Sequence, residues 1–201
     1  MDLSRSGLLA AGTAHIKRWC GLNDVVMPHI VTYDGNEPTF GTCAYYRNGV
    51  INIWPEACAA VGRAGRMWSW PGYVVDRTPY GVLAHELAHH VDKAHGPRGG
   101  IRAASWHRET GEAAITTYAP DVNEWFAESC RLYVTNPSLL CRLRPKMYDK
   151  LAAEWRMLAE CRDWKQVLEG ADRQIKAAEN KITEAYRLAQ RGPKPQQGKL
   201  L

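Results

Sequence analysis

Five consecutive residues, His85-Glu86-Leu87-Ala88-His89, fit the pattern H-E-x-x-H. Four residues advance an α-helix by about 6 Å and turn it about 40° past a full circle. His85 and His89 therefore project from one face, one turn apart. Two imidazoles so placed can hold a single Zn²⁺ through ring nitrogens at ~2.0–2.1 Å. Glu86 is rotated about 100° from His85, beside such an ion and free to polarise its water rather than bind it. That is hydrolase geometry. The plainer alternative is a pair of surface or core histidines next to a solvated acid. A clear helix start, apolar residues in the x positions and a preceding β-region favour the metal.

A catalytic zinc site normally has three protein donors and one open position. The third candidate is Glu124, in Asn123-Glu124-Trp125-Phe126-Ala127-Glu128. Glu124 and Glu128 are four residues apart and share a helix face. One carboxylate can bind the ion while the other accepts from the far ring nitrogen of a ligand histidine and fixes its tautomer. We assign ligation to Glu124 and support to Glu128, with the reverse as the alternative. His95 competes for the third position, because it follows His89 at the spacing of H-E-x-x-H-x-x-G-x-x-H sites. Those sites need a glycine where this chain has Asp92, and Met147 would have to form the downstream methionine turn from the start of a predicted helix. Asp92, a turn past His89, could support a ligand or bind a helix end.

With these residues in view, the chain resembles the gluzincins, zinc peptidases that combine H-E-x-x-H with a glutamate on a later helix. Within them it is most similar to the family typified by the anthrax lethal factor catalytic domain and its compact bacterial and phage relatives. The carrying residues are His85 to His89, His90-Val91-Asp92, Tyr118, Glu124 to Glu128, and Arg131-Leu-Tyr-Val-Thr-Asn-Pro137 with Pro145 and Tyr148. They span roughly residues 75–150. The resemblance implies an α+β, zincin-like domain and a zinc-dependent endopeptidase. His85, His89 and Glu124 would be the metal ligands, Glu86 the general base, and Glu128 and Asp92 the residues behind the ligands. Tyr118, six residues before Glu124, matches the tyrosine that donates to the oxyanion in that family.

Helices and a small sheet must position these groups. Residues 8–20 predict an amphipathic helix, His29–Tyr33 a strand, and Gly41–Tyr46 with Val50–Trp54 a hairpin around Asn48-Gly49, since both residues tolerate the positive φ of a type I′ turn. A short helix is expected around Glu56–Val61. Trp68, Trp70 and Tyr73 then either pack on the next helix or line a groove. Thr78 and Pro79 open the motif helix, which runs to about His95. A polar loop is expected to reach Tyr118. Asp121 then caps a helix from Val122 to about Val134. Leu139–Gly170 and Ala171–Gln190 predict two long helices, ahead of a frayed end. The expected division is a catalytic domain over 1–145, a helical segment over 146–191 and a tail over 192–201.

The 201 residues suit one ordinary domain plus an appendage, and 45% hydrophobic with 23% charged residues excludes extensive disorder or a coiled coil throughout. No run of ~18 apolar residues offers a membrane span, and the apolar patch Leu8–Ala11 is too short for an export signal. A cytoplasmic setting is expected, in a host cell or a phage particle. The six cysteines are widely spaced with no CxxC pair, so mostly buried thiols in a reducing compartment are expected. Net charge is +5, and residues 172–201 carry most of it. That segment predicts a solvated helix face or a weak anionic partner. Partners are therefore a protein or peptide substrate and, at most, an anionic surface. Two other functions fit the sequence: a peptidase-like binding or assembly protein without activity, and a DNA-associated protease recruited by its basic tail. No phosphate loop, G-x-S-x-G elbow or cysteine-based zinc knuckle is present.

Overall fold

The Ser4 side chain accepts Gly7 N–H at 3.1 Å, a cap that starts helix α1, Arg5–Leu22. The structure is a computed structural model and describes residues 4–35, 42–60, 75–95, 101–116 and 121–156. Strands β1 (His29–Thr32), β2 (Ala44–Arg47) and β3 (Val50–Ile53) follow. The turn between β2 and β3 has Asn48 at φ 51° and Gly49 at φ 82°, the paired left-handed residues of a type I′ turn. The sheet order is β1-β3-β2, with β1 parallel and β2 antiparallel to β3. Among the described residues β2 is thus an edge strand. Alternation puts Ala44, Ile51 and Ile53 into the core and leaves Tyr45 exposed on the other face, tilted against Trp54, on which Tyr33 stacks.

The motif helix α2, Pro79–His95, packs against α1, the inner face of the sheet and α4 (Val122–Thr135). Every residue from Pro79 to Asp92 is buried. A helix covered on all sides is expected to be apolar, yet this one buries His85, Glu86, His89, His90 and Asp92. Burying that many ionisable groups is costly unless each has a partner. Two glycines make the tight packing possible. A Cβ on Gly81 would meet the Asp76 carbonyl oxygen at 2.1 Å, and one on Gly12 of α1 would meet Leu83 Cδ1 at 2.9 Å and Tyr80 Cα at 3.2 Å.

Four expectations about elements are corrected. The polar stretch after Gly99-Gly100 contains a helix, α3, Ile101–Thr110. Its polarity hides it, and tertiary contacts hold it: Asp92 Oδ1 accepts Ala103 N–H at 2.9 Å, and Arg102 pairs with Glu154 at 2.7 Å. Within the described residues the long helix expected over Leu139–Gly170 is instead α5, Pro137–Leu143, and α6, Pro145–Glu154; residues 157–170 lie outside them. Pro145 disfavours the helical region for Arg144, which takes φ −143° and donates to the carbonyls of Ala113 and Ala114. α6 ends where Trp155 turns extended and packs its ring against Trp19 and Phe126. The short helix near Glu56 is a single 3₁₀ turn, Pro55–Ala57. Finally, Thr78 does not cap α2 through its side chain, since its hydroxyl has no partner among the described residues; Asp76 Oδ1 accepts Thr78 N–H at 2.8 Å instead.

Among the described residues no helix is long and apolar enough to cross a membrane. Of the cysteines, Cys20, Cys58 and Cys130 are buried, Cys43 is half-buried and Cys141 is exposed. Trp68, Trp70, Tyr73, the helix expected at 171–190 and the basic tail lie outside the described residues.

Candidate metal centre

Two helices supply the centre. α2 carries His85, Glu86 and His89; α4 carries Glu124 and Glu128. Asp121 caps α4, accepting the N–H groups of Asn123 at 2.8 Å and Glu124 at 3.0 Å, and so fixes the backbone of the first turn where Glu124 stands.

The donor atoms of three residues converge. His85 Nε2 and His89 Nε2 are 3.1 Å apart. Glu124 places Oε2 3.1 Å from His85 Nε2 and Oε1 3.4 Å from His89 Nε2. Donors bound to one ion at ~2.0–2.1 Å in tetrahedral directions would stand ~3.3–3.4 Å apart. All three separations are close to that value. Among the described residues this is the one His/Cys/Asp/Glu group arranged for a metal ion.

Proton placement sharpens the fit. His85 Nδ1 lies 2.7 Å from Glu128 Oε1, and a carboxylate can only accept, so the Nδ1 proton is committed to Glu128. In a neutral ring Nε2 then carries a lone pair, and it faces Glu124 Oε2, a buried oxygen with no hydrogen-bond donor aligned on it. Lone pairs gathered at this spacing require a cation or an extra proton between them. Without a metal the proton is the answer. Burial and Arg131 both push the His85 pKa down, but its contacts with Glu124 and Glu128 outweigh them and raise it to about 9. Burial pushes Glu124 up, and its contacts with both histidines win, holding it well below the usual carboxylate range.

Behind the histidine stands an arginine that the sequence reading did not assign. Glu128 is 1% exposed and Arg131 Nη2 lies 2.6 Å from its Oε1. Burial acts to raise the Glu128 pKa, and Arg131 together with His85 lowers it overall. A line of contacts therefore runs from Arg131 through Glu128 and His85 to the donor cluster. The i, i+3 spacing of Glu128 and Arg131 on one helix face was the available signal.

Glu86 is buried and makes no hydrogen bond among the described residues. Asp92 is also buried, and its Oδ1 accepts from the α3 backbone at Ala103, a helix-end role. His90 ties α2 to the sheet side: Nε2 donates to the Val26 carbonyl at 2.7 Å, and Nδ1 accepts from Tyr46 hydroxyl at 3.2 Å. Tyr118 lies outside the described residues. His95 is the last residue of α2, and its side chain lies outside them too. No protein-family model, curated protein or solved structure matches the chain.

Proposed function

We propose that the chain is a zinc-dependent endopeptidase of the gluzincin kind, the reading that joins the sequence resemblance to the donor cluster. The observation that carries it is the meeting of His85 Nε2, His89 Nε2 and the Glu124 carboxylate, with the other His85 nitrogen already committed to Glu128. In this reading His85, His89 and Glu124 hold Zn²⁺, which supplies Lewis acidity and brings the pKa of water toward neutrality.

The chain's own residues do the rest. Glu86 has no hydrogen-bond partner of its own among the described residues, so its carboxylate is free to take a proton from the attacking water and return it to the leaving amine. Glu128, clamped by Arg131, holds the His85 ring in one tautomer. Tyr118 is the donor proposed for the oxyanion. β2, an edge strand on the sheet that covers α2, offers unpaired backbone groups to an extended peptide.

Metal content and activity test the proposal together. Wild type should carry about one zinc per chain and cleave a denatured protein. Glu86→Gln should keep the zinc and lose at least ~10²-fold in cleavage, within the range for a positioned acid–base group. Glu124→Ala should lose the zinc. Wild type that takes up no stoichiometric zinc would overturn the reading.

A further inference from the structure

Lys93 stands on α2 four residues past His89 and seven past Glu86. Seven residues advance a helix by about 10 Å and leave it only about 20° short of two full circles. Lys93 therefore shares the face of Glu86, two turns nearer the C-terminus, and is rotated about 40° from His89. It is the exposed residue that directly follows the buried run from Pro79 to Asp92. Its side chain leaves α2 on the side of the donor cluster.

The strand side fixes where the ammonium goes. Lys93 Nζ lies 5.6 Å from the centroid of the Tyr46 ring, the separation of a cation–π contact. Tyr46 belongs to β2 and is held twice: its hydroxyl accepts Gly49 N–H at 3.0 Å and donates to His90 Nδ1 at 3.2 Å. The charge is thereby held between the motif helix and the edge strand. Arg5, Arg102, Arg131 and Lys150 each meet a glutamate. Among the described residues no carboxylate pairs with Lys93. A ring face offers no lone pair, so the ammonium keeps its capacity to donate to a carboxylate from outside the chain. Arg47, the next residue of β2, does not share this place. Tyr46 is paired with the core residue Ile51 and Arg47 with Val50, so alternation turns Arg47 to the outer face of the sheet.

We propose that Lys93 determines specificity, selecting acidic peptides that carry Asp or Glu about three residues to one side of the bond that is cut. The inference rests on the peptidase reading above and names the substrate class of that same site. A peptide paired with the free edge of β2 is extended and rises ~3.3–3.4 Å per residue. The distance of about 10 Å along α2 from Glu86 to Lys93 is therefore spanned by about three residues. A carboxylate at that place meets a cation already held by Tyr46, so the pair forms without first ordering a loose lysine. A lysine or arginine there meets a like charge and is rejected.

Digestion of a library of proteome-derived peptides by the zinc-loaded full chain, with the new termini sequenced by mass spectrometry, tests this. Asp and Glu should be enriched ~3–10-fold over the library at one position near the third residue from the cut, the range between a partly exposed ion pair and a charge-assisted hydrogen bond. The enrichment should shrink as ionic strength rises. Lys93→Met should abolish it, and Lys93→Glu should replace it with enrichment of Lys and Arg. Arg47→Met removes the same charge from the outer face and should keep the acidic preference. The proposal is overturned, and the peptidase reading left standing, if the cuts show no acidic preference or if the preference survives in Lys93→Met. Zinc-loaded wild type that cleaves no peptide overturns both.

Discussion

His85 Nδ1 and Glu128 Oε1 stand 2.7 Å apart, and both side chains are almost fully excluded from water. That contact decides which nitrogen of the ring faces Glu124 and His89. It also makes Glu128 a control point that a ligand-only description would omit.

Glu128→Gln keeps the size of the side chain but gives up its charge. Zinc affinity, measured by competition with a chelator, should fall by ~10–100-fold, the usual cost of losing a partner behind a ligand histidine. Arg131→Met leaves the Glu128 carboxylate buried without its cation and should cost ~3–5 kcal/mol of stability in denaturant titration. Arg131→Lys should recover part of both losses. If all three variants bind zinc like the wild type, the contacts behind His85 have no hold on the donors.

The pH dependence of the metal-free protein follows from His85. Its folded value of about 9 lies above the ordinary 6.5, so folding favours the protonated ring. The stabilisation is complete below about pH 6.5 and is lost as the pH rises through about 9. Seen from the acid side, Glu124 is depressed below its ordinary 4.5, and the same contact weakens as the pH falls beneath that. Chelator-treated protein should therefore melt at progressively lower temperature between pH 6.5 and 9. Zinc-loaded protein should show little change there, because the ion takes the proton's place. Zinc uptake at pH 7.5 should release a proton, read in calorimetry as an enthalpy that varies with the buffer. An enthalpy independent of buffer would contradict the assignment.

Gly81→Ala puts a methyl group against the Asp76 carbonyl, where the ideal Cβ comes within 2.1 Å. The backbone must move, and a loss of ~1–3 kcal/mol is expected, as for an overpacked core. Gly21→Ala is the control. It lies in the last turns of α1 with nothing within 4 Å of its Cβ, so it should be neutral or stabilise by up to ~1 kcal/mol. Equal melting temperatures for the two variants would argue against the close approach of the 76–78 segment to α2.

The sequence made the centre legible because its spacing is local: H-E-x-x-H on one helix and Glu-x-x-x-Glu on another each declare a face. Their meeting is visible only in three dimensions, where Glu124 comes to lie between His85 and His89. The hairpin was legible through Asn48-Gly49, a turn whose backbone few other pairs can adopt. α3 was not, because Arg102 to Thr110 carries little apolar periodicity and its N-terminus is satisfied by Asp92 from another helix. Nor was the break at Arg144 between α5 and α6, although Pro145 suits the first turn of a helix. Arg131 sits one turn from Glu128 on α4, but its place behind His85 depends on the packing of α4 against α2, which a pattern along one helix does not weigh.

His89 and His90 are neighbours that look in different directions, one into the donor cluster and the other to the Val26 carbonyl and the Tyr46 hydroxyl. The hairpin and the imidazole cluster are therefore geared to the same turn of one rod. Lifting the strand rim would therefore pull on the same turn of α2 that presents His89 to the donor cluster.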